Sequence, residues 1–201
     1  MKQLLHIKSS IFSAHGQSSQ LAAELLSALQ DKHSEFTLIE RDLAQQPIPH
    51  LNAEHVQAFF AAESDRTPEQ QAVVAFSDAL IAEIQQAELI VIGLPLYNFG
   101  IPSTLKAYFD QIARAGITFR YTEHGPEGLL QGKKVIIIAT RGGKYSGTAL
   151  DSQTDYMRNF LGFLGLTDIT WIYAEGLNMH EHKAESLVLA KQQLQALAAD
   201  I

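Results

Sequence analysis

Leu89-Ile90-Val91-Ile92-Gly93-Leu94 runs without a polar side chain straight into Pro95-Leu96-Tyr97-Asn98-Phe99-Gly100. A short, continuous apolar run closed by proline and glycine reads as a strand buried on both faces, the pattern of a parallel sheet. The device recurs at Val135-Ile136-Ile137-Ile138-Ala139, which feeds Thr140-Arg141-Gly142-Gly143. Ligands of open α/β sheets bind in the crevice outside the carboxyl ends of the strands. Two unusual loops at two such ends are therefore expected to wall one pocket. One wall offers flat aromatic and amide groups, the other glycine backbone.

Three further segments, near 3–8, 35–40 and 168–174, have the same short apolar or β-branched character and join 89–94 and 134–139 as five predicted strands. Helical periodicity fills the gaps. Gln20 to Gln30 repeats leucine and alanine at helical spacing behind Ser18 or Ser19 as N-cap, and Thr67-Pro68 opens a long helix to about Gln86. Pro102 to Ala115, closed by Gly116, repeats the device. Thr148 to Gly162 carries Tyr156, Phe160 and Phe163 on or near one face, and Ala184 to Ala199 ends the chain. Strands alternating with helices imply an α/β fold with a doubly wound parallel sheet covered on both faces. Five strands favour the flavodoxin-like order 2-1-3-4-5, with the switch point between strands one and three. Residues 1–201 read as a single domain. Two segments interrupt the regular pattern. Residues 43–66 read as a loop plus a short helix, and residues 117–131 as a long connection; long connections of this kind are usually functional.

At 201 residues and 22.2 kDa the chain can build a sizeable core without disulfide or metal. It contains no cysteine, which removes disulfides, thiolate nucleophiles and Cys-ligated metals and fits a cytoplasmic protein. Net charge is -7 and no Lys/Arg cluster occurs, so nucleic acid is not an expected partner. The N-terminus lacks the apolar stretch of a signal peptide, and no run reaches the roughly 20 apolar residues of a membrane span. The chain is expected to be soluble and unprocessed.

A third loop belongs with the first two. Ser9-Ser10 to Gly16-Gln17-Ser18-Ser19 precedes a predicted helix N-terminus, where backbone N–H groups and the helix dipole favour phosphate. It has neither the Gly-x-Gly-x-x-Gly fingerprint nor the Walker A spacing. The same residues also make an ordinary N-cap and polar loop. In the second loop, Tyr97 and Phe99 could stack a planar heterocycle while Asn98 supplies a donor and an acceptor; simple capping of the sheet would also use them. Gly142 and Gly143 permit φ > 0 and close backbone approach, as does any tight turn. No Gly-x-Ser-x-Gly elbow occurs, and His180-Glu181-His182 lacks a third metal ligand, so neither a side-chain nucleophile nor a metal is expected.

Six segments together, in this order, resemble one family: Ser9-Ser10 with Gly16-Gln17-Ser18; Pro95 to Phe99; Ala113 to Thr122; Gly125-Pro126-Glu127-Gly128; Arg141-Gly142-Gly143; and Phe160 to Gly165. They are similar to the bacterial FMN-dependent azoreductases, and the likeness spans nearly the whole chain. It implies a flavodoxin-like fold, a homodimer with FMN at the subunit interface, and ping-pong reduction of quinones and azo compounds by NADH or NADPH. Residue by residue, it places FMN on Ser10, on Gly16, Gln17 and Ser18, on Leu96, Tyr97, Asn98 and Phe99, and on Thr140, Arg141, Gly142 and Gly143. Phe119, Tyr121 and Phe163 become candidates for the pocket of a small aromatic acceptor. Three positions depart from the family, which often has serine at Gly16, methionine at Leu96 and serine at Thr140.

Two other readings keep the fold. A flavodoxin-type electron carrier would hold FMN and turn over nothing, and a flavin-free binding module would drop the cofactor. The segments 43–66 and 117–131 argue against a carrier, because their aromatic and aliphatic groups would enclose a small-molecule cavity. Phe59, Phe60, Ile117 and Phe119 in those segments are expected to need cover from a second copy of the chain.

Overall fold

The computed structural model describes residues 3–32 and 36–201. In chain order its strands are β1 (Gln3–Lys8), β2 (Thr37–Asp42), β3 (Leu89–Pro95), β4 (Phe119–Thr122), β5 (Gly125–Gly128), β6 (Lys134–Thr140) and β7 (Asp168–Ala174). Its helices are α1 (Gln17–Lys32), α2 (Ala53–Phe60), α3 (Pro68–Gln86), α4 (Ser103–Ile112), α5 (Ser152–Phe163) and α6 (His180–Asp200). Every residue of β3 is buried, and β6 is buried from Val135 onward. Both therefore sit centrally in a parallel sheet of order β2-β1-β3-β6-β7. This is the expected 2-1-3-4-5 order, with β6 and β7 as the fourth and fifth strands.

Alternation along the strands divides the core in two. Leu5, Ile7, Ile90, Ile92, Val135 and Ile137 face α3, α4 and α5, where they meet Leu80, Ile84, Phe109 and Leu161. Leu4, Val91, Ile136, Ile138 and Ile172 face α1 and α6, where they meet Leu25, Leu29 and Leu194. The polar residues of β2 are admissible because it is an edge strand: Arg41 pairs with Glu83, and Asp42 turns toward the loop after β1. β2 begins and ends two residues later than the sequence suggests, in parallel register Leu4↔Leu38 through Lys8↔Asp42. Residue 35 of the expected strand lies outside the described residues.

Thr67 and Gln70 form a complete capping box with Pro68 in the first turn, as the sequence indicates. Helix α1 starts at Gln17, three residues earlier than expected, so Ser18 and Ser19 lie in its first turn and are not caps. Helix α4 stops at Ile112, short of Ala115, because the Thr118 hydroxyl donates to the Ile112 carbonyl at 2.6 Å and pulls the chain out of helical register. Helix α5 begins at Ser152 rather than Thr148, with Asp151 accepting from the Thr154 N–H. Residues 117–131 are not an irregular connection: β4 and β5 pair as an antiparallel hairpin, from Phe119↔Gly128 to Thr122↔Gly125.

The apolar groups expected to need cover fare unequally. Phe59 lies under the Arg114 guanidinium at 4.0 Å, Ile117 packs against the core, and Phe119 is only 7% exposed. Phe60 alone among the four stands free, at 81% exposure. Among the described residues no helix is long and apolar enough to cross a membrane.

His6 is the least expected core residue. It is wholly buried on β1, its Nδ1 lies 3.4 Å from Glu40, and its Nε2 has no partner. Burial, reinforced by Lys8 and opposed by Glu40, lowers its pKa to about 4. Because the folded pKa lies below the usual 6.5, this contribution to stability is complete above pH 6.5 and is lost as pH falls toward 4. The loss approaches about 1.4 kcal/mol per pH unit. Urea unfolding should show roughly 2 kcal/mol less stability at pH 5 than at pH 7 in the native chain, a slope that His6→Leu removes. Parallel pH profiles for the two proteins would contradict the assignment.

Candidate functional site

The carboxyl ends of β1, β3 and β6 bring the three expected loops to one edge of the sheet, beside the switch point between β1 and β3. The loop after β1 is tied down on both sides. Ser9 Oγ donates to the Gly93 carbonyl at 2.6 Å, and Ser13, in the left-handed region at φ 51°, donates to Asp42. Gly16 then passes so close to Ser10 that a Cβ there would lie 2.1 Å from the Ser10 Oγ. The hydroxyl of Ser10 fills the space that a serine at position 16 would need.

Helix α1 starts at this point, and its first N–H groups have no acceptor within the helix. The Ser18 and Ser19 hydroxyls beside them are buried and unpartnered. Buried polar groups are rarely left so. Free N–H donors, the positive end of the helix dipole and idle hydroxyls are together the chemistry that a phosphate socket requires. Ser10 Oγ, 3.4 Å from Tyr97 Oη, links the socket to the second loop.

That second loop is a two-residue hairpin turn. Tyr97 and Gly100 exchange backbone hydrogen bonds at 3.2 and 2.9 Å, and both central residues, Asn98 (φ 50°) and Phe99 (φ 60°), are left-handed. This is the type I′ pattern, which glycine or asparagine usually supplies. A phenylalanine there costs on the order of 1 kcal/mol or more and persists only where its surroundings enforce it. Helix α5 does so: Ser152 donates to the Phe99 carbonyl, and Gln153 Nε2 donates to Pro95 O at 3.0 Å and Gly100 O at 3.3 Å.

The third loop is held from beneath by Arg141, the largest fully buried side chain among the described residues. Its guanidinium binds Asp151 at 2.8 Å, Thr154 at 2.9 Å and Glu175 at 3.2 Å, leaving its Nε without a partner. Burial alone would raise the pKa of Asp151, but hydrogen bonds from Arg141 and Thr154 outweigh it and hold the carboxyl below its usual value. Glu175 Oε1 also accepts from the N–H groups of Tyr145 and Ser146, each at 2.9 Å. The Arg141 side chain therefore points into the protein, and only its backbone belongs to the rim. Thr140 is likewise buried, its carbonyl accepting from the Leu96 N–H at 2.9 Å.

Neither Gly142 nor Gly143 has a positive φ. They are glycine for space instead: a Cβ on Gly142 would lie 2.6 Å from Asn178 Nδ2, and one on Gly143 would lie 2.6 Å from the Tyr145 ring. Two adjoining cavities result. One of about 440 Å³ is bounded by Leu96, Asn98, Phe99, Gly142, Gly143 and Tyr145, together with Asn178. The other, of about 590 Å³, is bounded by Leu96, Tyr97 and Asn98 with Ile11, Ile101 and Pro102. Leu96 and Asn98 border both, so the two form one cleft of a size that takes a small planar ligand. A cavity of about 620 Å³ lies at the other end of the sheet, near Glu88, Lys134 and Asp168, away from the loops.

Ile11, Ile101, Pro102, Ser103, Tyr145 and Asn178 also border the cleft, and the sequence marked none of them as a site residue. Phe119, Tyr121 and Phe163 do not border it within one chain. Phe119 packs against Phe163 at 4.2 Å and edge-on to Tyr121 at 5.5 Å, and Tyr121 alone is exposed, on the outside of the β4–β5 hairpin. Among the described residues no group of three or more His, Cys, Asp or Glu is placed to hold a metal.

Sheet order and cleft define a doubly wound, flavodoxin-like α/β chain. Residues 2–198 match the family described as having a flavodoxin-like fold. An FMN-dependent NADH:quinone oxidoreductase of Cellvibrio japonicus is 54% identical over 195 residues, 97% of this chain and 98% of that one. Its counterpart in Alcanivorax borkumensis is 53% identical over 194 residues, covering 96% and 98%. An azoreductase from Bacillus anthracis str. Sterne superposes with a TM-score of 0.92 at 29% identity over the whole of both chains. An FMN-dependent NADH-azoreductase from B. anthracis str. Ames Ancestor, solved with FMN, gives 0.91 at 26% identity, covering 100% and 99%. The chain belongs to this family, the FMN-dependent NADH:quinone oxidoreductases and azoreductases of flavodoxin-like fold.

Removing Arg141 tests whether it anchors the rim. Arg141→Met strands the Asp151 and Glu175 carboxylates against the interior, and breaking a buried ion pair in this way costs about 3–5 kcal/mol. Denaturant unfolding of the variant should register a loss of that order, whereas a loss below about 1 kcal/mol would place the guanidinium outside the load path.

Proposed function

We propose that the chain is an FMN-dependent NADH:quinone oxidoreductase that also cleaves aromatic azo compounds reductively, working as a single FMN-binding domain in a cytoplasmic homodimer. The observation that supports this reading is the placement, side by side at one edge of the sheet, of a helix N-terminus with idle buried hydroxyls and a cleft that would seat a flat ring, joined where Ser10 Oγ lies 3.4 Å from Tyr97 Oη. Ser10, Gly16, Gln17 and Ser18 would hold the phosphate. Leu96, Tyr97, Asn98 and Phe99 would support one side of the ring, and the backbone from Thr140 to Gly143 would meet its polar edge. Bound FMN supplies the two-electron chemistry, so no side-chain nucleophile or metal is needed.

The protein's share is to bind, orient and exclude water. The N–H groups of the glycine loop are held rigid from below by Arg141 and Glu175, and fixed donors of this kind stabilise negative charge without reorganising. The open space above Leu96 and Asn98 would take NADH and then the acceptor in turn, which gives ping-pong kinetics. NADH is preferred over NADPH in this reading because both curated relatives and the flavin-bound neighbour bear NADH in their names.

Tyr121 gives the homodimer a role. Its exposed ring, backed by Phe119 and Phe163, would reach the cleft of the second copy, where it would border the acceptor. A membrane or a nucleic acid is not among the proposed partners. The carrier reading is disfavoured, because the relatives are named as oxidoreductases.

Purified protein reconstituted with FMN should show the absorbance of bound flavin and sustain NADH oxidation with a benzoquinone or an azo dye without any protein partner. Failure to bind FMN would sink the reading; binding without turnover would restore the carrier. Light scattering at micromolar concentration should give twice the 22.2 kDa chain mass, and a monomer would remove Tyr121 from the acceptor site.

A further inference from the structure

The loop after β7 is the fourth loop at the cleft and brings the Asn178 side chain to it. The backbone N–H of Asn178 donates to the Gly142 carbonyl at 3.0 Å, and Leu177 N–H donates to Arg141 O at 3.1 Å, so the two loops are fastened together. The Asn178 carboxamide lies over Gly142: a Cβ there would stand 2.6 Å from its Nδ2 and 3.2 Å from its Cγ. Among the described residues nothing in the protein hydrogen-bonds this amide, which opens into the glycine half of the cleft.

The two halves of the cleft differ in what they can recognise. The loop of Gly142 and Gly143 offers backbone N–H groups, which only donate and so suit carbonyl oxygens. A ring edge that alternates carbonyl, N–H and carbonyl also needs an acceptor. Asn98 sits at the ridge shared by both cavities, whereas Asn178 borders the glycine half alone. A carboxamide presents an acceptor beside a donor. Each half of an imide presents the complementary pair, so the two join by two parallel hydrogen bonds.

We propose that Asn178 is a specificity-determining residue that reads the imide edge of the flavin ring, accepting from the ring N3–H and donating to a flanking carbonyl. This rests on the FMN reading above. It assigns to the loop after β7 a recognition role separate from the phosphate socket and from the ring seat. It also explains why position 142 is glycine, since any side chain there would displace the amide.

Flavin-free protein titrated with FMN and with 3-methyl-FMN, with flavin fluorescence as the readout, tests the assignment without turnover. The methyl group removes the N3–H and leaves the phosphate and ring faces unchanged. The native chain should bind FMN about tenfold more tightly than the methylated analogue, the weight of a lost hydrogen bond with an unpaired partner. In Asn178→Ala the ratio should shrink to about twofold, with FMN itself bound several-fold more weakly. Asn178→Ser, which keeps a small polar group on the loop, gives the same readout if the alanine variant aggregates. A native chain that binds both flavins equally, or a variant that keeps the tenfold ratio, would overturn the role of Asn178. A native chain that binds neither flavin would overturn the FMN reading itself, and the two failures are distinct.

Discussion

The cleft depends on one buried guanidinium. Arg141 stands at the end of β6 with no exposure, and three elements meet on it: the start of α5 through Asp151 and Thr154, the loop after β7 through Glu175, and its own glycine loop through the backbone. Glu175 extends the hold by accepting from Tyr145 and Ser146. Helix α5 passes it on to the second loop, because Ser152 and Gln153 bond the carbonyls of Phe99, Pro95 and Gly100. A buried ion pair seldom adds net stability over an apolar replacement. What this one supplies is a fixed geometry, in which the loops after β3 and β6 are indexed to a common point.

The same network bears on how much of the site was legible in the sequence. The strand-end loops could be read because β3 and β6 are continuous apolar runs, and only a strand buried on both faces tolerates that. Arg141-Gly142-Gly143 could be read as a loop, but not which of its residues faces the ligand. Side-chain direction at a strand end is settled by partners distant in sequence, here Asp151 and Glu175. The glycines misled in a related way. Their φ values are ordinary, and they are glycine because Asn178 and Tyr145 press against them, which no local pattern could reveal.

Other departures share this cause. Thr148 to Gly162 looks continuously helical, yet α5 starts only at Ser152, once Asp151 is fixed by Arg141 and can cap it. Residues 117–131 give no strand alternation because Gly125, Pro126 and Gly128 occupy the second strand; β5 exists through its pairing with β4 and its contact with the end of α5, where Leu130 N–H donates to Leu164 O at 2.9 Å. Phe119, Tyr121 and Phe163, read as candidates for the acceptor pocket, do lie together, but the Phe119 and Phe163 rings pack against the core. Phosphate chemistry was legible for the opposite reason. It resides in a helix N-terminus and adjacent hydroxyls, all within the ten residues from Ser10 to Ser19.

The cleft is also asymmetric. On one side of the Leu96–Asn98 ridge stand Ile11, Ile101 and Pro102; on the other stand the glycine backbone and the Asn178 amide. A ring apolar at one edge and polar at the other can satisfy both sides in a single orientation only, since turning it over would set carbonyls against Ile11 and Ile101 and leave the amide and N–H donors unpaired. Each hydrogen bond forgone costs about 0.5–1.5 kcal/mol net, and the lost aliphatic packing adds to it. A phosphate held at the start of α1, beside Ser10 and Tyr97, would fix the distance at which that ring can lie. A phosphorylated ring bound as proposed would have its orientation set three times over, by charge at one end, by apolar contact along one edge and by hydrogen bonds along the other. In that orientation the face above Asn98 would be the side left open to reductant and acceptor.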